Sequence, residues 1–282
     1  MAPPRVLTTA REAAEFAETT RRAGRRLGLV PTMGYLHAGH VSLMTEAKAR
    51  ADLVAVSIFV NPTQFGPSED LARYPRDLAG DLETCARAGV DVVFHPEAPE
   101  VYPPGHQTFV EVVELSRGLC GERRPGHFRG VATVVAQLFS LFRPHLAIFG
   151  EKDYQQLLVV RRLARDLHLG VEVVGMPILR EGDGLAMSSR NAYLSAAERG
   201  RALALFRGLA AARALFAKGT DDAKQLTDVV CEALRREDVR EDYVALVEGQ
   251  TLVPLERAHA GARLLVAAFV GATRLIDNVG LG

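Results

Sequence analysis

The amino-acid sequence predicts an α/β protein in which a Rossmann-like, doubly wound parallel sheet domain is followed by a smaller α+β C-terminal domain. Short apolar runs alternate with helical stretches as far as residue 180, a pattern typical of a parallel sheet with right-handed crossovers. Beyond that point the order changes to two helical stretches followed by three strand-like runs.

The strands of the first domain are predicted from apolar runs. The run at 52–60 is almost continuously apolar, as expected of a strand that is covered on both faces. The N-terminal residues are expected to lead straight into a charged helical stretch, without a strand before it. The predicted strands are residues 27–31, 52–60, 90–94, 146–149 and 171–177.

Helical periodicity is clearest at residues 155–168, where the aliphatic residues share one face and the arginines lie away from it. Gly182 and Gly184 then interrupt the pattern, and we place a domain boundary there, between residues 1–179 and 180–282. The second domain is expected to act as a lid. Its predicted elements are helices at 196–218 and 221–236 and strands at 242–247, 263–270 and 273–277.

Composition narrows the class of function. Lys plus Arg and Asp plus Glu are equal at 34 each, so no global positive field favours nucleic acid as a partner. The 3 cysteines are far apart, which predicts reduced thiols in a cytoplasmic protein. No apolar run reaches the roughly 18 residues of a membrane span, so no membrane partner is expected.

The most informative motif lies where the first apolar run meets the helix after it. His37 and His40 stand three residues apart with Gly39 between them, at the carboxyl end of a predicted strand. Both imidazoles can point at a phosphate held over the helix N-terminus, where backbone N–H groups and the helix dipole favour negative charge. A surface turn or a metal site is the alternative, although helical metal pairs usually fall at i, i+4.

Two further motifs carry cationic and hydroxyl groups. Ser188, Ser189 and Arg190 follow a glycine-bearing loop and predict an adaptable clamp for a triphosphate, although a bland loop would also explain them. Lys152 follows the strand at 146–149 and would reach a phosphate from there, with Asp153 as a charge at the N-terminus of the next helix. A capped helix with solvated charges is the alternative for this second motif.

Two loops are interpreted as substrate loops. Asn61 and Gln64 follow the second strand and present neutral amides, which suit a hydroxyl-bearing substrate. The basic stretch at 123–130, which includes Arg124, predicts either an anion-binding flap or a solvated loop.

Together these motifs resemble the pantothenate synthetase (pantoate–β-alanine ligase) family, within the nucleotidyltransferases that carry a His-x-Gly-His motif. The resemblance rests on five segments: Pro-Thr-Met-Gly-Tyr-Leu-His-Ala-Gly-His at 31–40, Phe-Val-Asn-Pro-Thr-Gln-Phe at 59–65, Arg-Pro-Gly-His-Phe-Arg-Gly at 124–130, Phe-Gly-Glu-Lys-Asp-Tyr-Gln-Gln at 149–156 and Asp-Gly-Leu-Ala-Met-Ser-Ser-Arg-Asn at 183–191. The C-terminal third resembles the family mainly in length and element order.

The resemblance implies the site residues. His40 matches the family's proton donor and His37 its partner on the phosphates, while Gln64 and Gln156 match the positions that hold pantoate, Gln64 also lying near β-alanine. It also implies ATP as a substrate, Mg²⁺ as the counterion of ATP rather than in a dedicated protein site, and a homodimer. The implied ATP-binding residues are Met33, Gly34, Tyr35, Leu36, His37, Ala38, Gly39, His40, Gly150, Glu151, Lys152, Asp153, Leu179, Met187, Ser188, Ser189 and Arg190.

The implied reaction condenses pantoate with β-alanine through a pantoyl adenylate, releasing AMP and pyrophosphate. Catalysis is expected to come from alignment and from charge stabilisation by His37, His40, Lys152, Ser188, Ser189 and Arg190. Two other hypotheses stay open: a nucleotidyltransferase that transfers AMP to a phosphate, and a nucleotide-sensing module without turnover. The neutral amides of Asn61 and Gln64 argue against a phosphate acceptor, which would favour a cation.

Overall fold

The computed structural model describes residues 3–67 and 69–282, and the chain divides into two compact units. The N-terminal unit comprises Met1–Arg117, Gly121–Glu151 and Gln156–Pro177. The C-terminal unit comprises Gly118–Cys120, Lys152–Gln155 and Ile178–Gly282, so it takes in two short segments that precede residue 178. The division of function between residues 1–179 and a lid at 180–282 stays a prediction.

The N-terminal unit is built on a parallel sheet, which confirms the predicted fold class. Over the described residues this sheet has 6 strands in the order β1-β4-β3-β2-β5-β6. From β2 the chain proceeds through β3 and β4 on one side and then crosses to β5 on the other side of β2, so a topological switch point lies between β2 and β5. The strands are β1 (Arg5–Leu7), β2 (Leu27–Thr32), β3 (Leu53–Ile58), β4 (Val92–Phe94), β5 (Leu146–Gly150) and β6 (Glu172–Met176).

Strand β1 corrects the expectation for the N-terminus. It pairs in parallel with β4, with Val6 opposite Val93. Only Leu7 of its residues is buried, because β1 is short and lies at the sheet edge. Such a strand leaves no apolar run for sequence analysis to detect. Met1 and Ala2 lie outside the described residues.

Helix α2 (Ala38–Arg50) packs on the sheet and contributes to its core. Leu43, Met44 and Ala47 of α2 pack with Val56 and Ile148 of the sheet. Ile148 and Val56 are completely buried, which accounts for the apolar character of these strands. The helices are α1 (Ala10–Arg22), α2 (Ala38–Arg50), α3 (Leu78–Arg87), α4 (Ala98–Val101), α5 (Cys120–Arg123), α6 (His127–Phe142) and α7 (Tyr154–Asp166).

The C-terminal unit has the predicted α+β character. Helices α8 (Ala196–Ala217) and α9 (Ala223–Arg236) precede an antiparallel sheet of β7 (Arg240–Glu248), β8 (Ala262–Val270) and β9 (Thr273–Gly280). Gly208 lets the two helices approach closely, since a Cβ there would lie 3.1 Å from the Val230 Cα. Both helices and the sheet contribute to one apolar core.

Within residues 3–67 and 69–282, no helix combines the length and the apolar character that a bilayer span requires.

Candidate active site

The predicted His-x-Gly-His turn lies at the switch point of the large sheet. It connects β2 to α2, and His37 is the N-cap residue of α2. The turn that carries Asn61 and Gln64 follows β3, the neighbour of β2, and Gly150 ends β5 on the other side of β2. The carboxyl ends of three adjacent parallel strands therefore carry three of the predicted motifs. This is the edge at which open α/β sheets bind ligands.

The two histidines form a reciprocal cap at the start of α2. The Gly39 N–H donates to His37 Nδ1 at 3.1 Å, and the His37 N–H donates to His40 Nδ1 at 3.2 Å. Their ring centroids lie 4.1 Å apart. Because each Nδ1 accepts a backbone proton, each neutral ring carries its own proton on Nε2. Both imidazoles are thus set as Nε2–H donors, which is the form that a phosphate oxygen needs.

Asp81 of α3 shapes the turn before these histidines, and sequence analysis missed it. Its carboxylate accepts the Tyr35 N–H at 2.8 Å and the Leu36 N–H at 2.6 Å. It is only 3% exposed, and burial raises the pKa of this carboxyl above its usual range, although the two N–H donors act in the opposite direction. Gly34 and Tyr35 both have positive φ, +83° and +52°. Asp81 therefore stabilises a left-handed backbone that costs a non-glycine residue roughly 1–2 kcal/mol.

Asp81 also changes which donors face a ligand. The sequence suggested that backbone N–H groups at the helix N-terminus would face the phosphate. In the structure, Asp81 accepts from Tyr35 and Leu36, and His37 accepts from Gly39. The backbone N–H groups of Tyr35, Leu36 and Gly39 are thus engaged within the protein.

The turn after β3 holds Gln64 in one orientation. Asn61 Nδ2 donates to the Gly130 carbonyl at 3.1 Å and to Gln64 Oε1 at 3.0 Å. Since the Gly130 carbonyl can only accept, it determines which way the Asn61 amide faces. The Gln64 oxygen therefore faces Asn61, and its Nε2 donates to Met33 Sδ at 3.0 Å. Sulfur is a weak acceptor, so this donor would gain from a stronger one.

Asn61 itself differs from the prediction. It was expected to present its amide to the substrate, but it is 1% exposed and its Oδ1 accepts from the Tyr102 hydroxyl at 2.9 Å and the Thr63 hydroxyl at 2.9 Å. Its donors and its acceptor are engaged within the protein. Asn61 thus contacts Gln64 and Tyr102 within the protein. Sequence spacing did not indicate the contact with Tyr102.

Arg124 and His127 of the basic stretch at 123–130 are held by contacts within the protein. Arg124 forms a two-point ion pair with Glu69, at 2.7 and 2.6 Å, and donates to the Gln64 carbonyl at 3.3 Å. His127 is buried at the first turn of α6, and its Nδ1 lies 2.8 Å from the Gln64 carbonyl oxygen. Burial raises the pKa of Glu69, but Arg124, the Gly66 backbone and His127 together lower it further, so the net pKa lies below its usual value.

The packing of α6 explains why residue 130 of this stretch is glycine. It lies in α6 with a negative φ, and a Cβ at this position would be 2.5 Å from the Thr63 carbonyl oxygen. Only a residue without a side chain allows α6 to pack so closely on the turn that carries Gln64.

The segment after β5 is ordered as predicted. Glu151–Asp153 form a 3-10 turn, and α7 begins at Tyr154, which leaves Asp153 just before the helix and Gln156 on its first turn. Lys152 and Gln156 are half-buried, and Asp153 is exposed. Gly150, Glu151 and Gln156 belong to the N-terminal unit, whereas Lys152 and Asp153 belong to the C-terminal unit.

The Ser-Ser-Arg motif lies in the C-terminal unit and is held by its neighbours. Ser188 caps a 3-10 turn, its Oγ accepting the Arg190 N–H at 3.2 Å, and the Met187 N–H donates to the Leu179 carbonyl at 3.0 Å. Asn191 Nδ2 donates to Glu181 at 2.8 Å. Gly184 of the glycine-bearing loop packs closely, since a Cβ there would lie 2.3 Å from the Phe206 ring.

A parallel sheet with polar motifs at its switch point defines the class of α/β proteins that bind ligands at the carboxyl ends of their strands. The family model described as pantoate-beta-alanine ligase matches residues 5–280. The chain belongs to the pantoate-beta-alanine ligase family.

Individual relatives agree over nearly the whole chain. The chain is 61% identical to a pantothenate synthetase of Myxococcus xanthus over 282 residues, 99% of this chain and 97% of the relative. A crystal structure of pantothenate synthetase from Thermus thermophilus superposes with a TM-score of 0.91 at 49% identity, covering 98% of this chain and 99% of that one. A Francisella tularensis pantoate-beta-alanine ligase, complexed with beta-gamma ATP and beta-alanine, gives 0.81 at 31% identity, covering 98% and 97%.

Proposed function

We propose that this chain condenses pantoate with β-alanine at the expense of ATP, giving pantothenate, AMP and pyrophosphate through an enzyme-bound pantoyl adenylate. The observation that carries the proposal is the pair of histidines at the switch point, with both Nδ1 atoms engaged by backbone N–H groups. Family membership over residues 5–280 supports the choice of substrates.

The first step activates the carboxylate, which does not react with an amine near neutral pH. A pantoate carboxylate oxygen attacks the α-phosphorus of ATP, a new P–O bond forms, and the bond to the bridging oxygen breaks to release pyrophosphate. The barrier falls by alignment and by stabilising charge on the phosphoryl oxygens. His37 and His40 would donate through Nε2–H. The further donors that we assign to this step are Lys152, Ser188, Ser189 and Arg190.

We assign the remaining predicted ATP residues by the same resemblance. Backbone and side-chain atoms of these residues would surround the nucleotide. They are Met33, Gly34, Tyr35, Leu36, Ala38, Gly39, Gly150, Glu151, Asp153, Leu179 and Met187.

Gln64 is proposed to bind pantoate through its Nε2–H group. A pantoate hydroxyl or carboxylate oxygen is a stronger acceptor than the Met33 sulfur that this group now contacts at 3.0 Å. Asn61 would contribute indirectly by orienting Gln64, and Gln156 would add a second amide. Arg124 would contact a substrate carboxylate only after its pair with Glu69 opens.

In the second step the neutral amine of β-alanine attacks the acyl carbon and the amide bond forms. AMP leaves with the electrons of the broken acyl–oxygen bond, and the nitrogen releases one proton to solvent. The protein has to hold the amine near the carbonyl and keep water from hydrolysing the mixed anhydride. We propose the region 180–282 as the cover, as predicted from the sequence.

Mg²⁺ is proposed to arrive with ATP and to neutralise charge on its phosphates. Within the described residues, no group of three His, Cys, Asp or Glu side chains is placed to hold a metal. An ion that keeps phosphate and water ligands does not need such a group. Assembly as a homodimer is also proposed, on the resemblance alone, and location in the cytoplasm is proposed from the scattered cysteines.

The order of the two chemical steps provides the test. With ATP, Mg²⁺ and pantoate but no β-alanine, the enzyme should release about one pyrophosphate per site in a burst and then stall. It should also exchange labelled pyrophosphate into ATP under these conditions. Burst and exchange that appear only after β-alanine is added would exclude the adenylate intermediate. Pyrophosphate release without pantoate, or no release under any condition, would favour the AMP-transferring or the sensing hypothesis instead.

A further inference from the structure

Two segments of the C-terminal unit that carry proposed ATP-binding residues are anchored at neighbouring residues of β9. One is Lys152–Gln155, which clusters with residues 178–282 although it lies far from them in sequence. The other is the Ser-Ser-Arg motif. Asp277 and Asn278 are adjacent on β9, and each is 3% exposed.

Asn278 holds the Lys152 segment. Its Nδ2 donates to the Lys152 carbonyl at 3.0 Å, and its Oδ1 accepts from Arg263 Nη1 at 2.7 Å. Arg263 also stacks over the Tyr154 ring at 3.5 Å, and the Tyr154 hydroxyl donates to the Gly249 carbonyl at 2.8 Å. Residues 152 and 154 are thereby held by the small sheet and by the turn after β7.

Asp277 holds the segment that leads to the Ser-Ser-Arg motif. Its carboxylate accepts two hydrogen bonds from Arg180, at 2.6 and 2.9 Å. Arg180 in turn donates to the Gly184 carbonyl at 3.1 Å and forms a backbone bridge with Ala186, just before Met187. A two-point pair with a buried carboxylate restricts the guanidinium to one geometry, so the turn at 180–186 is fixed to β9.

The two anchors are also bonded to each other. The Asn278 N–H donates to Asp277 Oδ1 at 2.8 Å, so the carboxylate that orients Arg180 also restrains the residue that holds Lys152. Successive strand residues point to opposite faces, which lets one strand hold a segment on each side.

We propose that Asp277 and Asn278 are positioning residues for adenylate formation, which keep Lys152 and Ser188–Arg190 in one fixed arrangement. The proposal rests on the proposed function, which assigns these two motifs to the phosphates of ATP. Phosphoryl transfer depends on alignment of such groups, and side chains locked by neighbours keep that alignment. The small sheet is thereby part of the catalytic framework.

The test is the rate constant of the pyrophosphate burst, measured by rapid quench without β-alanine. Asn278→Asp keeps an acceptor for Arg263 but cannot donate to Lys152, and Asp277→Asn removes the charge that binds Arg180. Each should lower the rate constant between about tenfold and about 100-fold, the larger value being the cost of displacing a reacting group by roughly 1 Å. Asn278→Ala is the second variant at that position, and it removes the amide without adding a charge.

Asp242→Asn is the matched control. Asp242 is also a partly buried carboxylate of the small sheet, and it pairs with Arg274 of β9 at 2.8 Å. The control variant should be less stable than the wild type but should have the same rate constant for the burst. Burst amplitude measures the active fraction, so a variant that merely folds poorly loses amplitude and not rate. If the Asp277 and Asn278 variants match the control in rate constant, the proposal is wrong.

A double-mutant cycle separates this inference from the proposed function. In a Lys152→Ala background, Asn278→Asp should have no further effect, because it acts through Lys152. Additive effects would overturn the positioning role. A normal burst in Lys152→Ala alone would instead overturn the role of Lys152 under the proposed function, with Asn278 untouched.

Discussion

Replacing Gly130 with alanine tests how the Gln64 amide, proposed to bind pantoate, is positioned. The new Cβ would lie 2.5 Å from the Thr63 carbonyl oxygen and 2.7 Å from the Gln64 backbone nitrogen. An ordinary contact is about 3.5 Å, so α6 and the turn at 61–65 must separate by about 1 Å. That shift would stretch the hydrogen bond from Asn61 to the Gly130 carbonyl, now 3.1 Å, and release the Gln64 amide.

The expected result has a kinetic and a thermodynamic part. A displacement of about 1 Å at a positioned group costs up to about 100-fold, so the burst rate constant should fall and the KM for pantoate should rise, with less change in the KM for ATP. Overpacking should cost about 1–3 kcal/mol of unfolding free energy. The burst assay at varied pantoate, together with thermal unfolding, measures both.

Gly200→Ala is the control for this substitution. Gly200 also lies in a helix, α8, and a Cβ there meets no heavy atom within 4 Å among the described residues. It should gain up to about 1 kcal/mol from helix propensity and keep normal kinetics. A Gly130→Ala enzyme with wild-type pantoate KM and burst rate would refute the proposed link between α6 and Gln64.

Three further outcomes are expected. Lys152→Ala and His40→Ala should each slow the pyrophosphate burst at least about 100-fold, the scale for a lost preorganised donor, and a normal burst would remove that residue from the first step. Gln64→Ala should raise the KM for pantoate far more than that for ATP, because only pantoate loses a hydrogen-bond donor, whereas equal changes would contradict this assignment. Glu69→Gln should make thermal stability depend less on pH at acid pH. The pKa of Glu69 in the folded protein is lowered from 4.5, so its stabilising contribution is present above that pH and is lost as the pH falls. If the stabilities of wild type and variant fall in parallel from about pH 5 to about pH 3, this expectation is wrong.

Residues that act within one turn could be recognised from the sequence, and residues that act across the fold could not. His37 and His40 stand in a local pattern, and their mutual cap involves atoms only 2 or 3 residues apart. Asp81 reaches the turn from 45 and 46 residues away, and Tyr102 reaches Asn61 from 41. No spacing rule links an aspartate on α3 to the backbone of a preceding turn.

The basic stretch shows the same limit. Arginines beside glycines have the composition of an anion-binding loop, so the sequence favoured either a flap or solvent exposure. Arg124 instead pairs with Glu69, which is 55 residues away, and Gly130 lies where α6 contacts the backbone of Thr63. Charge composition alone does not distinguish an arginine that awaits a ligand from one already paired.

The sequence by itself determined the parallel sheet, the change to α+β order and the place of the histidine turn, because apolar periodicity and turn chemistry are local properties of the chain. The tertiary structure alone decided the orientation of the Gln64 amide, with its oxygen toward Asn61, and the contact of Lys152 with the small sheet. Asn278 lies 126 residues from Lys152, and Asp277 lies 97 from Arg180. Such contacts depend on how closely distant segments approach once the chain has folded, which sequence periodicity does not encode.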